Sequence, residues 1–200
     1  YEAYGLEGMR ALDSTVAYIK DNYPDIFLIA DAKRGDIGNT AKMYAKSFFE
    51  TMDFDAVTVA PYMGADSVTP FLEYKGKWAI GLALTSNPSA YQFQSAVKDG
   101  KPLYRAVMEE MMEIGTPDNM MFVVGATKAD KLKELRCSYG QRIKRPRRSA
   151  HKFLTRHIVR IGRRGLRRCC RYSCRQYRVF IDILSAFGWP QAPVRGKSGA

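Results

Sequence analysis

Two carboxylates and an ammonium group occur within six residues of this chain, at Asp31, Lys33 and Asp36. They follow the apolar run Phe27–Ala30, and two glycines come next before an amphipathic helical pattern starts. A carboxylate close to a lysine favours the charged ammonium form. A lysine held in this way can stabilise a developing negative charge and then donate a proton. The spacing is short and common, so its meaning depends on the elements that carry it.

The apolar run is typical of a buried parallel strand, which we predict over 26–33. Because side chains alternate along a strand, the first carboxylate and the lysine lie on one face at its carboxyl end. Asp36 then falls in the following turn, and we expect Asn39 or Thr40 to cap the next helix. In α/β barrels this end of the strands carries the catalytic groups.

Strand and helix patterns alternate through the first two thirds of the chain. Strands are predicted over 26–33, 56–60, 78–84 and 120–125, and helices over 5–21, 41–52, 65–74, 103–114 and 129–136. This alternation predicts a parallel sheet with helices outside it, either doubly wound or a (β/α) barrel. Polar residues follow every strand, which favours the barrel; those after the later strands are Tyr62 and Asp66, Ser86 and Asn87, and Thr127. No G-x-G-x-x-G follows a strand, which weakens a dinucleotide-binding interpretation.

Charge divides the chain into two parts. Residues 1–136 contain 15 Lys and Arg against 19 Asp and Glu, a balance of −4. Residues 137–200 contain 17 Lys and Arg against one acidic residue, Asp182, a balance of +16, and they hold all four cysteines. We therefore interpret 1–136 and 137–200 as separate units. No apolar run is long enough to cross a bilayer and no signal-peptide pattern is present, so we expect a cytoplasmic protein without a membrane partner.

Five blocks in residues 1–136 resemble the orotidine 5′-monophosphate decarboxylase family, in its bacterial branch with a D-A-K-R-G-D-I-G-x-T signature. The blocks are residues 1–8, 31–40, 57–64, 84–90 and 123–127, in the order of the family. The resemblance implies a (β/α)₈ barrel, of which about four central βα units are recognisable. It also implies a homodimer that uses neither a metal nor an organic cofactor.

The resemblance also implies roles for individual residues. Asp31 and Lys33 match the positions that flank the reacting carbon, where the lysine would protonate the C6 carbanion left by loss of CO₂ from orotidine 5′-monophosphate. Asp36 matches the carboxylate that reaches the neighbouring subunit's site, and Thr40 matches a substrate contact across the same interface. Ser86 matches the residue that hydrogen-bonds the pyrimidine.

The sequence departs from the family pattern at both ends. The first barrel strands, with a ribose-binding aspartate and a further lysine, would precede Tyr1. The phosphate loop P-G-x-G-x-Q-G-G and a later arginine are expected after Arg136 but are not readable, and the nearest apolar run, 179–184, lacks such a loop. We therefore expect a fragment whose own turnover is impaired.

Residues 137–200 allow three interpretations. One is a basic arm that neutralises nucleic-acid phosphates. A second is a metal site, which the C-C-x₃-C spacing supports poorly because paired C-x₂-C ligands are lacking; its ligands would be Cys169, Cys170 and Cys174 with His151 or His157. The third, which we favour, is a segment translated in a shifted reading frame, since it has almost no acidic residues and is rich in Arg and Cys. Such a segment has no selected fold or function.

Our sequence-based assignment is a decarboxylase of orotidine 5′-monophosphate, with nucleic acid not favoured as a partner. A sugar-phosphate decarboxylase of the 3-keto-gulonate-6-phosphate type shares D-x-K-x-x-D but needs magnesium, and the Thr85–Pro88 block favours the pyrimidine substrate. The non-enzymatic alternative is a barrel remnant with a basic tail that binds nucleic acid. Steeply salt-dependent binding, lost on deletion of 137–200, would support it.

Overall fold

The computed structural model describes residues 1–125, 129–139 and 179–182. The helices are α1 (Gly5–Asn22), α2 (Gly38–Lys46), α3 (Thr69–Leu72), α4 (Tyr91–Gln94), α5 (Leu103–Ile114) and α6 (Ala129–Tyr139). The strands are β1 (Ile29–Arg34), β2 (Ala56–Val59), β3 (Trp78–Leu84), β4 (Val97–Lys98), β5 (Lys101–Pro102), β6 (Met120–Gly125) and β7 (Val179–Asp182). Thr127, the basic runs of the tail and its proposed metal ligands lie outside the described residues.

Five strands form one parallel sheet in the order β1-β2-β3-β6-β7. The register between β2 and β3 is regular, and Ala56 of β2 pairs with Ile29 on one side and Trp78 on the other. Strands β4 and β5 form a separate antiparallel hairpin in the connection between β3 and β6. Because the five strands are parallel, their carboxyl ends all lie along one edge of the sheet.

The sheet has two different faces, because alternate residues of each strand point to opposite sides. One face packs against the helices, where Phe48 and Phe49 after α2 and Met108 of α5 belong to the same main core as strand residues such as Val57. The other face carries a smaller apolar cluster. Its buried members are Ala56, Ile80, Met121 and Val123. Helices on one face and a second apolar layer on the other are the arrangement of a barrel wall.

A partly exposed ion-pair network fixes the start of β1. The Asp55 carboxylate accepts the Leu28 backbone N–H at 2.7 Å and lies 2.9 Å from the Lys20 ammonium of α1. Asp53 lies beside it and pairs with Lys77 at 2.5 Å, and this hydrogen bond lowers the pKa of Asp53 below its usual value. The network therefore joins α1 to the strand that carries the charged motif.

Most of the predicted elements are present, with corrections at two places. Strands over 78–84 and 120–125 and the helix over 103–114 have the predicted bounds. The predicted cap on α2 was wrong: the helix begins at Gly38 after Ile37, and no side chain caps it. The single helix predicted over 65–74 is a 3₁₀ turn, Ala65–Ser67, followed by the short α3, because Pro70 in its first turn lacks a backbone donor.

The boundary predicted at residue 136 falls inside α6, which continues to Tyr139. Strand β7 comes from the basic part of the chain and pairs with β6 through Phe122 and Val179. No helix in the described part of the chain is long and apolar enough to cross a membrane.

Candidate active site

Asp31 and Lys33 meet at the carboxyl end of β1, as the alternation predicts. The Lys33 ammonium nitrogen lies 2.7 Å from Asp31 Oδ2, a direct charge-assisted hydrogen bond. The two side chains remain 54% and 40% exposed, so the pair is open to a ligand. An ion pair this exposed contributes little to folding stability, about 0–1 kcal/mol. Its arrangement is therefore not explained by stability alone.

Thr58 of β2 lies between these two residues and is a site residue that the sequence analysis missed. Its hydroxyl donates to Asp31 Oδ1 at 3.0 Å and accepts the Lys33 backbone N–H at 2.9 Å. The carbonyl oxygen of Ala30 lies farther from the same hydroxyl, at 3.5 Å. Thr58 is completely buried. A polar residue in an otherwise apolar strand, on the face that the alternation gives to Asp31, was the signal that could have identified it.

The backbone at Lys33 is in the left-handed region, with φ of +48°. The register between β1 and β2 shifts there, since Ala30 pairs with Val57 but Arg34 pairs with Val59. A non-glycine residue in this region costs about 1–3 kcal/mol, and such residues cluster at functional sites. Lys33 thus lies where the ladder between β1 and β2 is irregular, so local backbone strain accompanies the pair.

The residues after Lys33 hold the end of β1 against α2 and against the segment after β2. Arg34 places its guanidinium 5.2 Å from the ring centre of Tyr44 and 5.6 Å from that of Phe48, and it pairs with Glu2. Gly35 passes so close to β2 that a Cβ there would lie 3.1 Å from the Ala60 carbonyl oxygen. These contacts hold the turn against the helix layer.

Asp36 and Thr40 lie on the same rim but outside the pair. Asp36 is half-buried, and its Oδ1 accepts the backbone N–H of Ile37 at 2.8 Å. Within the described part of the chain it makes no hydrogen bond to Lys33. Thr40 is exposed in the first turn of α2. Neither residue is thus placed against Lys33 by this chain.

Ser86 lies in the loop after β3, next to Thr85, whose backbone and hydroxyl are both hydrogen-bonded within the loop region. Gln94 of α4 accepts the Thr85 backbone N–H at 2.8 Å and donates to the Thr85 hydroxyl at 2.8 Å. That hydroxyl donates in turn to Asn87 Oδ1 at 2.6 Å. Behind the loop, a Cβ on Gly125 would lie 3.0 Å from the backbone nitrogen, Cα and Cβ of Ser86. Gln94 and Gly125 are further residues that the sequence analysis missed.

The loop and the charged pair lie on one rim, because β3 is two strands from β1 in the parallel sheet. At about 4.8 Å per strand spacing, the two groups are about 10 Å apart. That distance suits a planar ring bound between them. In the described residues no three acidic, histidine or cysteine side chains cluster as metal ligands. The arrangement offers a cation and a carboxylate at one end and hydrogen-bonding groups at the other.

A parallel βα sheet with an ammonium–carboxylate pair on its carboxyl rim is the architecture of a barrel enzyme. The family model described as "Orotidine 5'-phosphate decarboxylase / HUMPS family" matches residues 1–147. The chain belongs to this family, and the resemblance inferred from the five sequence blocks is confirmed.

Curated relatives agree with the family model. The chain is 56% identical over 137 residues to "Orotidine 5'-phosphate decarboxylase" of Phocaeicola vulgatus, which covers 68% of this chain and 50% of that protein. It is also 56% identical over 136 residues to the protein of the same name from Flavobacterium johnsoniae, with the same coverage. The chain thus spans about half the length of the curated relatives it matches.

Solved structures show the same fold. The "Structure of Leishmania donovani OMP decarboxylase" matches with a TM-score of 0.63 and 36% identity, over 68% of this chain and 54% of that one. The orotidine 5'-monophosphate decarboxylase of Plasmodium berghei matches with a TM-score of 0.63 and 28% identity, over 70% and 47%. These structures are (β/α)₈ barrels, so the prediction of an incomplete barrel is confirmed.

Proposed function

We propose that the rim site of this chain is the lysine-bearing part of an active site that decarboxylates orotidine 5′-monophosphate to UMP. The observation that carries the proposal is the Asp31–Lys33 pair, exposed at the rim, built on strained backbone and ordered by a buried hydroxyl. The family and the names of its relatives support the choice of reaction.

Lys33 supplies the two things that the reaction needs. When the bond from C6 to the carboxylate breaks, the electron pair stays on C6 and CO₂ leaves. The ammonium stabilises this developing carbanion and then transfers a proton to C6, which leaves a neutral amine. Asp31 keeps the lysine charged and in place beforehand, and its charge also opposes the substrate carboxylate before that group is lost.

The other predicted site residues have supporting roles in the proposal. Ser86 hydrogen-bonds the pyrimidine from the loop held by Gln94. Asp36 and Thr40 act on the site of a second copy, in a cytoplasmic homodimer. Exposed apolar side chains on the same rim support such an interface; they are Ile37, Met43, Tyr62 and Met63, between 46% and 87% exposed. No metal and no organic cofactor enter this proposal.

We expect slow turnover, since the chain matches half the length of its relatives. The test is release of CO₂ from substrate labelled at the carboxylate, with the chain in excess over substrate. Lys33→Ala should abolish the release above background. Lys131→Ala, at an exposed ion-paired lysine on α6, is the matched control and should leave it unchanged. Release that requires added magnesium would favour the sugar-phosphate type of site instead.

A further inference from the structure

We propose that Thr58 is a positioning residue, whose buried hydroxyl holds the Asp31 carboxylate and the Lys33 main chain in a single arrangement. The consequence for catalysis rests on the proposed function, whereas the structural part does not. Nothing in the family resemblance or in the sequence motifs assigned a role to this threonine.

The Thr58 hydroxyl both donates and accepts a hydrogen bond within the pair. It has one proton to donate, which goes to Asp31 Oδ1 at 3.0 Å, and it accepts one from the Lys33 N–H at 2.9 Å. The other carboxylate oxygen of Asp31, Oδ2, accepts a hydrogen bond from the Lys33 ammonium. Asp31 is therefore held at both oxygens, and the same hydroxyl reaches the backbone of its lysine partner.

The ladder between β1 and β2 is irregular at this point. Where β1 and β2 lose register, the side chain of Thr58 takes the place of a strand carbonyl as the acceptor for Lys33. A buried N–H without an acceptor is strongly unfavourable, so the hydroxyl stabilises the left-handed backbone that directs the lysine. Valine, which has nearly the same shape, would fill the space and supply neither bond.

The surroundings of Thr58 differ from those of a residue that only packs in the core. Thr58 is completely buried, yet both groups that it bonds belong to a pair that remains about half exposed. An exposed pair in water samples many arrangements unless something rigid restricts it. A hydroxyl on a central, buried strand is such a restriction.

The experiment compares the unaltered 200-residue chain with the same chain carrying Thr58→Val, Thr58→Ser or Ser67→Ala. Ser67 is the matched control, because it is also completely buried and its hydroxyl donates to the Gly64 carbonyl away from the pair. Amide hydrogen exchange is measured by NMR at Lys33. The amide of Ala60, which donates to the Arg34 carbonyl at 2.7 Å, is the internal reference for the same pair of strands.

We expect Thr58→Val to accelerate exchange at Lys33 by about tenfold or more while Ala60 changes little, and Thr58→Ser to restore protection. In the labelled-CO₂ assay, Thr58→Val should lower the single-turnover rate constant at saturating chain by about tenfold or more, while the chain concentration that gives half of this rate stays nearly unchanged. Thr58→Ser should recover most of the rate constant. Ser67→Ala should alter neither the Lys33 amide exchange nor the rate constant.

Two results would overturn the inference. One is a rate of amide exchange at Lys33 that is unchanged in Thr58→Val, or that rises together with the rate at Ala60. A shared rise would mean a general loosening of the sheet. The other is a local change at Lys33 with turnover intact, which would limit Thr58 to holding the strand. If the unaltered chain releases no CO₂ at all, the proposed function fails, and the amide comparison alone decides whether Thr58 positions the pair.

Discussion

Replacement of Gly125 by alanine tests how closely the loop after β3 is fitted to the neighbouring strand. The new Cβ would lie 3.0 Å from three atoms of Ser86, two of them backbone. Carbon contacts are comfortable at about 3.5–4.0 Å, so the loop must withdraw by about half an ångström. Overpacking of this kind costs about 1–3 kcal/mol.

A smaller, opposite effect comes from the unfolded chain. Alanine has less backbone freedom than glycine when unfolded, which favours the folded state by about 0.4–1 kcal/mol at a compatible site. The net expectation for Gly125→Ala is therefore a loss of about 1–2 kcal/mol in the free energy of unfolding. Under the proposed function, displacement of Ser86 should also weaken binding of UMP.

Gly81 is the matched control for this substitution, because it lies in the adjacent strand β3. A Cβ there would meet the Phe122 ring at 3.5 and 3.6 Å, which is ordinary contact. Gly81→Ala should therefore be neutral or slightly stabilising. The measurement is urea unfolding followed by circular dichroism, with UMP affinity measured by calorimetry. A Gly125→Ala chain as stable as Gly81→Ala, with unchanged UMP affinity, would refute the reasoning.

Three further substitutions test other contacts of the structure. Gln94→Ala removes two hydrogen bonds of Thr85, one at its backbone N–H and one at its hydroxyl, and should lower the free energy of unfolding in urea by about 1–3 kcal/mol, whereas substitution of the exposed neighbour Gln92 should change it little. Burial, together with the hydrogen bond to Glu109, raises the pKa of Tyr139 from 10.0 to about 12, so folding favours the protonated phenol. The stabilisation of the fold by the protonated Tyr139 is complete below pH 10 and is lost as the pH rises towards 12. In Tyr139→Phe, the free energy of unfolding in urea should therefore fall less steeply over this alkaline range. The pKa of Asp53 is lowered from 3.8, chiefly by the hydrogen bond from Lys77. The charged carboxylate therefore stabilises the fold above pH 3.8, and this stabilisation is lost as the pH falls. Asp53→Asn should remove that loss from acid unfolding curves.

The sequence predicted the strands well because each buried parallel strand is a continuous apolar run. The runs over 78–84 and 120–125 end sharply in the sequence, and the predicted first and last residues of both strands are confirmed. The cap on α2 was predicted from residue type alone, and it failed because the helix starts one residue before Asn39. The hairpin of β4 and β5 was not predicted, since two-residue strands leave no periodic signal.

Only the contact between residues of a single strand of the site could be predicted from the sequence. The pairing of Asp31 with Lys33 follows from alternation along β1 and was correctly predicted. Thr58 belongs to another strand, and its contact depends on a register shift that composition does not reveal. Gly125 is likewise a contact between β6 and a loop after β3, distant in sequence.

The central claim is that Lys33 on this rim acts on orotidine 5′-monophosphate. Its most direct test is single-turnover release of labelled CO₂ by the full chain, with Lys33→Ala alongside and a chelator present throughout. The account predicts slow release that continues in the chelator and disappears in Lys33→Ala. Release that matches the uncatalysed background, or that persists without the lysine, would contradict it.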